Sequence, residues 1–131
     1  MNAYKLFMLD VVLLGALSEL PATSILEGND IFIEFKGALT EQYVLQQLIS
    51  DTPYTPYYYG TEKATFEQDF LIQKEAAIIP IEVKAETNIR SQSLKAYCDK
   101  FHPEKAVRFS TLKYMDQEWM VNIPLYAVCN L

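Results

Sequence analysis

Two apolar runs separated by a short polar break constrain this fold more than any other part of the sequence. The runs occupy residues 66–72 and 78–84, and the break occupies residues 73–75. Runs of this length and composition are typical of β-strands. A break this short predicts a tight antiparallel hairpin centred between Glu75 and Ala76, although no glycine or asparagine marks the turn.

Such a hairpin fixes which side chains oppose each other on the two strands. Antiparallel pairing keeps the sum of opposed residue numbers constant, so Asp69 would oppose Glu82, and Glu67 would oppose Lys84. Glu82 and Lys84 share one strand face because successive side chains alternate. Two opposed carboxylates repel each other unless a cation lies between them. In this register, which a slip of one residue would destroy, the pattern predicts a metal site at Asp69 and Glu82.

A larger pattern includes a glutamate upstream of the hairpin. Glu41 falls in a predicted helix, Asp69 follows it, and the triplet Glu82-Val83-Lys84 comes next. This order resembles the PD-(D/E)xK nuclease-like superfamily. The resemblance implies an α/β fold with a restriction-endonuclease-like core, in which a mixed central sheet is flanked by helices.

The same resemblance implies roles for the four charged residues. Asp69 and Glu82 would hold Mg²⁺, with Mn²⁺ as a substitute, and Lys84 would orient the attacking water or steady the phosphate. Glu41 would support the metal shell. These residue types suit the chemistry, because Mg²⁺ prefers hard oxygen ligands and a bound metal lowers the pKa of its water. The implied activity is phosphodiester hydrolysis on DNA.

The sequence around these four residues points to a narrower group within the superfamily. This sequence is similar to a C-terminal domain of uncharacterised bacterial and archaeal AAA-type ATPases. Two positions depart from the usual sequence of that domain. Val12 stands where the family usually has glycine, and Gln68 places a polar side chain on a face expected to be buried. The matching stretches are residues 5–10, 13–17, 37–41, 57–61, 69–70, 81–84 and 122–126.

The length of 131 residues predicts one domain, and a hydrophobic content of 50% is enough for a substantial core. The four glycines do not form a phosphate-binding loop, so the sequence contains no ATPase module of its own. We therefore expect a nuclease-like domain over residues 1–131. It would be either the C-terminal part of a longer ATPase, with the ATPase domain as a partner in cis, or a free-standing remnant of one.

The early apolar stretch, residues 6–17, bears on location. It is interrupted by Asp10 and is shorter than the roughly 20 residues needed to span a bilayer, so a short helix is favoured over a signal peptide or a membrane span. Cys98 and Cys129 lack a Cys-x-x-Cys spacing, and we expect reduced, buried thiols rather than a zinc site. These features predict a cytoplasmic protein without a membrane partner.

The remaining periodicity predicts a simple order of elements. We expect Glu41 to lie beside an apolar helix stripe, where its carboxylate would be partly desolvated. Its position alone favours an ordinary solvated helix acid, and the ordered motif reverses that preference. Pro80 predicts an interruption of its strand just before Glu82.

The predicted strands cover residues 4–9, 57–59, 106–109 and 119–128, and the predicted helices cover residues 11–20, 30–49 and 91–101.

Charge weighs against a nuclease. The net charge is -6, which should weaken binding to a polyanion. Residues 84–113 nevertheless contain seven basic and three acidic residues, so this segment carries +4 and the rest carries -10. Arg90 and Lys95 are candidate phosphate contacts, and an ordinary solvated helix face explains the same charges equally well.

Two functions therefore remain open from the sequence. The first is a metal-dependent phosphodiesterase acting on DNA through Glu41, Asp69, Glu82 and Lys84. The second is a catalytically silent nuclease-fold module that serves an AAA-type ATPase as an interaction or regulatory part, because a fold alone does not establish an activity.

Overall fold

The fold is a mixed six-stranded sheet flanked by helices, which confirms the predicted α/β class. The computed structural model describes residues 5–19, 21, 23, 30–60, 67–85 and 90–131. Within them the strand order is β1-β2-β3-β4-β6-β5. The elements are α1 (Val11–Leu17), α2 (Asp30–Asp51), β1 (Tyr57–Gly60), β2 (Glu67–Lys74), β3 (Ala77–Lys84), α3 (Gln92–Phe101), β4 (Val107–Ser110), β5 (Met115–Asp116), β6 (Val121–Pro124) and a final 3-10 helix (Leu125–Asn130).

The β2–β3 hairpin has the predicted register. Its pairs run from Lys74↔Ala77 to Phe70↔Ile81, so opposed residue numbers sum to 151 as predicted, and the ladder ends before the predicted pairs Asp69–Glu82 and Glu67–Lys84. β1 pairs with β2 in the antiparallel sense, while β4 continues the sheet parallel to β3 and β6 continues it parallel to β4. The carboxyl ends of β3, β4 and β6 therefore meet at one edge of the sheet.

The hairpin turn consists of two residues, of which Glu75 has a φ of 56°. This left-handed conformation is sterically unfavourable for a residue with a Cβ atom. The turn tolerates it because Gln73 Nε2 donates to the Glu75 carbonyl oxygen at 2.9 Å and the ladder closes immediately beside it. The absence of a glycine from the turn therefore does not prevent the predicted hairpin from forming.

The two sheet faces pack differently. On one face, Phe70, Ile81 and Phe109 join Val44 and Leu48 of α2 in the main hydrophobic core. On the other face, α3 buries Leu94 against a smaller cluster with Ala106 and Met120. Because side chains alternate along each strand, the residues between the α2-facing positions point toward the α3 side.

Pro80 does not interrupt β3, so that prediction was wrong. β3 is continuous, and Pro80 lies opposite Leu71 within an unbroken ladder. Pairing with β4 begins only at Ile81↔Val107. Pro80 has no backbone N–H, but it precedes the part of β3 that pairs with β4. No hydrogen bond between β3 and β4 is therefore lost.

The strand predicted at residues 4–9 was also wrong for the part that lies among the described residues, 5–9, which form an extended segment that docks on α2. Gln42 makes both hydrogen bonds that a neighbouring strand would have made: its Oε1 accepts from Met8 N at 2.8 Å and its Nε2 donates to Met8 O at 2.9 Å. Val11 N donates to Gln46 Oε1 at 3.1 Å. A side-chain amide thus replaces a strand partner, which periodicity does not reveal.

Other elements agree with the sequence except at their ends. α1 begins after Asp10, whose carboxylate caps the helix by accepting from Leu13 N, and it ends at Leu17 rather than at residue 20. α3 has its predicted bounds; of the residues whose spacing predicts an inward face, Leu94 is buried, whereas Phe101 is exposed and Tyr97 is buried in its place. The last predicted strand is split into β6 and the 3-10 helix. Neither cysteine is fully buried, contrary to expectation.

Among the described residues, no helix combines the length and the apolar composition that crossing a membrane would require.

The turn gives a stability prediction. We expect Glu75→Gly to raise the free energy of unfolding by about 0.5–1 kcal/mol, because glycine removes the left-handed penalty of about 1–2 kcal/mol and adds back a smaller entropic cost. Urea denaturation measures the change. Glu75→Ala is the control, since alanine keeps the Cβ and should give no such gain.

Candidate functional site

Asp69 lies at an irregularity in the sheet. The β1–β2 pairs are Tyr57↔Leu71 and Tyr59↔Gln68, so Tyr58 alone opposes Asp69 and Phe70. This arrangement is a β-bulge, a feature that bends a strand and redirects side chains and that recurs beside active sites. The bulge includes Phe70, which belongs to the last pair of the β2–β3 ladder, and Asp69, which lies one residue beyond it.

The Asp69 carboxylate takes the place of a backbone carbonyl in that ladder. Hydrogen-bonded pairs recur at every second residue from the turn, so the N–H of Val83 would next bond to the carbonyl of Gln68. It donates instead to Asp69 Oδ2 at 2.8 Å. One carboxylate oxygen is thereby fixed by the strand that carries Glu82 and Lys84, and the other is left for a second partner.

That second partner is Lys5, which sequence reasoning missed. Its Nζ lies 3.4 Å from Asp69 Oδ1 and 3.0 Å from Glu41 Oε2. The three side chains are about a fifth to a quarter exposed, so the ion pairs are shielded from water. Lys5 therefore joins the predicted helical acid to the predicted strand acid.

The pKa values reflect this shielding. Burial raises the pKa of Glu41 above its ordinary value of 4.5, and the nearby Asp69 charge raises it further, while Lys5 and then Lys84 act in the opposite direction. Burial alone would lower the pKa of Lys5, but its contacts with Glu41 and Asp69 outweigh burial and raise the pKa. Burial and Asp69 thus disfavour the charged form of Glu41, and the two lysines offset only part of that effect.

Glu82 and Lys84 form the second half of the site. Glu82 is 5% exposed, and its Oε1 lies 3.0 Å from Lys84 Nζ. The other oxygen, Oε2, is buried and has no hydrogen-bond partner among the described residues. A buried carboxylate oxygen in this state is unfavourable unless a donor or a cation reaches it.

Arg108 and Asn122 extend the polar row from Glu82 across the parallel strands. The register places Glu82 opposite Arg108 and Arg108 opposite Asn122. Arg108 is 2% exposed and donates to Asn122 Oδ1 at 2.8 Å and to Ser91 Oγ at 3.3 Å. Burial lowers the pKa of Arg108, and Glu82 opposes that shift.

This polar row was not predicted. The strand prediction for residues 106–109 treated Arg108 only as part of a basic segment, and its alternation with Val107 and Phe109 was the available signal. Asn122 is also buried, and its Oδ1 accepts from Ser110 Oγ at 2.7 Å. The buried guanidinium of Arg108 and the ammonium of Lys84 therefore both lie near the Glu82 carboxylate.

Gln68 behaves as its unusual position predicts. It is fully buried, its Nε2 donates to the Glu67 carbonyl oxygen at 3.0 Å, and its Oε1 has no hydrogen-bond partner among the described residues. The polar side chain therefore sits on a buried face beside the bulge and leaves one acceptor unsatisfied there.

Among the described residues, neither candidate phosphate contact forms an ion pair with Glu41, Asp69 or Glu82. Arg90 is exposed, and Lys95 Nζ is 2.9 Å from Asp99 Oδ1 and 5.5 Å from the centre of the Trp119 ring. The basic segment is also less basic at its surface than its composition suggests, because Arg108 is internal. Arg90 and Lys95 line one shallow groove with Trp119.

Within the ranges that the structure describes, no group of three or more histidine, cysteine, aspartate or glutamate side chains is arranged to hold a metal ion. The four predicted residues instead form two neighbouring ion-paired groups, Glu41–Lys5–Asp69 and Glu82–Lys84. The bond from Val83 to Asp69 links the two groups.

Comparison with known families gives a match to the family described as "Domain of unknown function (DUF4143)" over residues 36–127. The chain belongs to this family. The match includes Glu41, Asp69, Glu82 and Lys84 and begins after Lys5. The family description assigns no activity, and comparisons with curated proteins and with solved structures found no match.

The bond between Asp69 and Val83 gives a prediction on stability. We expect Asp69→Ala to lower the free energy of unfolding by about 1–3 kcal/mol more than Asp69→Asn, because alanine leaves the Val83 N–H without an acceptor. The asparagine side-chain oxygen can still accept, and both changes remove the charge beside Lys5. Equal losses in urea denaturation would contradict this role for Asp69.

Glu41 gives a prediction on pH dependence. Because its pKa is raised on folding, the folded protein binds a proton more tightly than the unfolded chain does. The wild type should therefore lose stability relative to Glu41→Gln as the pH rises from about 4.5 through the raised pKa. Urea denaturation from pH 4 to pH 7 measures the difference in the free energy of unfolding between the wild type and Glu41→Gln. A difference that does not change with pH would contradict the prediction.

Proposed function

We propose that this DUF4143 domain is a nuclease-like domain of the PD-(D/E)xK type that hydrolyses phosphodiester bonds in DNA with Mg²⁺ or Mn²⁺. Asp69 and Glu82 would hold the metal, Lys84 would act on the water or the phosphate, and Glu41 would support the acids. In a longer protein, an AAA-type ATPase domain would be its partner in cis.

The observation that carries this proposal is the position of Asp69 relative to β3. The hairpin register makes Asp69 and Glu82 the next opposed positions after Phe70↔Ile81. The bond from Val83 N then fixes the Asp69 carboxylate against the strand segment that carries Glu82 and Lys84. Two acids and a lysine are thus brought together by two different strands.

The donor set suits a hard divalent cation. All three acids offer carboxylate oxygens, which Mg²⁺ prefers. Glu82 Oε2 is buried and lacks a hydrogen-bond partner in the described part of the chain, so a cation would satisfy it. A cavity of about 170 Å³ beside Lys5 and Glu41 has room for water next to the acid that would support the metal shell.

A bound metal would supply a water of lowered pKa and offset negative charge on the phosphate. The chain's own residues set the geometry around it. Lys84, a third exposed, is held by Glu82 and can turn its ammonium toward a phosphate oxygen. Arg108 lies opposite Glu82 on the neighbouring strand, so a buried positive charge stands near the Glu82 carboxylate.

The substrate has an open surface available to it. A cavity of about 520 Å³ lies where β3, β4 and β6 end, and Ala85, the residue after Lys84, forms part of its lining. Tyr43 of α2 and the 81% exposed Tyr126 contribute aromatic groups to it. Carboxyl ends of parallel strands are common ligand sites, and exposed tyrosines can stack on unpaired bases.

A second candidate function is favoured by Lys5. An ammonium group already lies between Glu41 and Asp69, where a metal would be expected to bring carboxylates together. A silent interaction or regulatory module of an AAA-type ATPase would keep its acids neutralised in this way. The net charge of -6 agrees with this alternative.

Cleavage of DNA distinguishes the two functions. With millimolar Mn²⁺ or Mg²⁺ and single-stranded, duplex or branched DNA, we expect cleavage that Glu82→Gln and Asp69→Asn each reduce by at least about a hundredfold. Product formation on a denaturing gel gives the rate. Glu118→Gln is the matched control. It removes an exposed carboxylate that is not part of the proposed site, so this variant should cleave DNA like the wild type.

Absence of cleavage by the wild type on every DNA form, with metal present, would favour the silent module. Cleavage that persists in Glu82→Gln and Asp69→Asn would assign the activity to other residues and contradict the proposed site.

A further inference from the structure

The acid pair of the candidate site already has a cation, and it comes from outside the predicted motif. Lys5 Nζ lies 3.0 Å from Glu41 Oε2 and 3.4 Å from Asp69 Oδ1. Both contacts are short enough for charge-assisted hydrogen bonds. The oxygens that Lys5 occupies are ones that a divalent cation would also need.

The position of Lys5 is built into the fold. The Phe7 ring is 5.8 Å from the Phe70 ring, so the residue two places after Lys5 packs beside the residue that follows Asp69. Met8 is fixed by both hydrogen bonds to the buried amide of Gln42. These contacts hold the segment on α2 and bring the Lys5 backbone close to the acids, so little backbone freedom is lost in forming the ion pairs.

A third contact steadies the ammonium group from the sheet side. Lys5 Nζ lies 5.2 Å from the centre of the Tyr58 ring, within the range of a cation–π interaction. Tyr58 is the β1 residue that opposes the bulge at Asp69. The bulge therefore presents Asp69 and the aromatic face of Tyr58 to the same lysine.

The charges around the site are balanced. Glu41, Asp69 and Glu82 carry -3, and the cations that contact or oppose them, Lys5, Lys84 and Arg108, carry +3. Arg108 is buried and fixed on the sheet, and Lys84 is paired with Glu82. Adding a divalent cation would leave this group with excess positive charge, whereas withdrawal of Lys5 would leave an uncompensated carboxylate.

From this geometry we infer that Lys5 is a positioning residue of the site and that it competes with a divalent cation for the carboxylates of Glu41 and Asp69. The site is closed to metal while Lys5 is bound there. Metal enters when the Lys5 ammonium leaves, and the cavity of about 170 Å³ that Lys5 and Glu41 line provides space for the exchange. This inference rests on the proposed function for the assignment of Asp69 as a ligand.

The alternative role for Lys5 is purely structural. A structural lysine stabilises the docked segment, and its removal would weaken folding without creating a cation site. Competition predicts a gain of binding instead, which a structural role does not produce. The two roles therefore differ in the sign of the effect on metal affinity.

The test is calorimetric titration of Mn²⁺ into the intact chain and into Lys5→Met. We expect Lys5→Met to bind Mn²⁺ at least about tenfold more tightly than the wild type, an effect comparable to changing a group bonded to a metal ligand. Lys5→Arg keeps the charge and should bind like the wild type. Lys113→Met removes an equal charge from an exposed site and corrects for the change in net charge.

Thermal unfolding without metal and with Mn²⁺ gives a second readout. Lys5→Met should melt below the wild type without metal and should recover part of the loss when Mn²⁺ is added, because the ion replaces the ammonium. If Lys5→Met is too unstable to titrate, the more conservative Lys5→Gln takes its place. Recovery in Lys5→Met/Asp69→Asn equal to that in Lys5→Met would show that the ion binds elsewhere and would overturn the inference.

Failure of the inference and failure of the proposed function are distinguishable. Tighter Mn²⁺ binding by Lys5→Met without any cleavage of DNA would support the competition between Lys5 and metal and would contradict the proposed nuclease activity. Mn²⁺ affinity of Lys5→Met equal to or below that of the wild type, including no binding by either protein, would overturn the competition. Cleavage of DNA by the wild type in that case would still support the proposed nuclease function.

Discussion

The two-residue turn between β2 and β3 is the constraint on which the rest of the structure depends. It fixes a register in which opposed residue numbers sum to 151, and a slip of one residue would exchange the two faces of both strands. The register buries Phe70 and Ile81 against α2 and places Asp69, the residue before Phe70, where its carboxylate bonds to Val83, the residue after Glu82. Hydrophobic packing, which accounts for most of the stability, therefore also locks the relative position of the acids.

The site forms where this regular ladder stops. Beyond Phe70↔Ile81 the strand bulges, and the Asp69 carboxylate accepts the bond from Val83 that a carbonyl would have accepted. The lost backbone bond is offset by a side-chain bond, so the irregularity does not leave a buried donor unpaired. The same carboxylate reaches Lys5 and, through it, the helix that carries Glu41. A local departure from sheet geometry thus links the antiparallel meander to α2.

Local patterns in the sequence predicted the hairpin, and the order of the acids along the chain suggested a candidate site. Contacts between distant segments were missed. The alternation and the polar break were enough to predict the β2–β3 register, and the order of Glu41, Asp69, Glu82 and Lys84 indicated a site. Lys5 could not be predicted, because its approach depends on a side-chain amide, that of Gln42, replacing a strand partner. The role of Arg108 was missed because composition assigned it to a surface patch, whereas the parallel pairing of β3 with β4 buries it opposite Glu82.

Paramagnetic broadening by Mn²⁺ in a two-dimensional NMR spectrum of the intact chain tests the central claim, that Asp69 and Glu82 belong to one cation site. Because Asp69 is bonded to the amide of Val83, substoichiometric Mn²⁺ should broaden the Val83 amide among the first signals, together with those of Asp69 and Glu82. Asp69→Asn should abolish this pattern. Broadening centred on exposed acids such as Asp116 and Glu118, with the Val83 amide unaffected, would contradict the account.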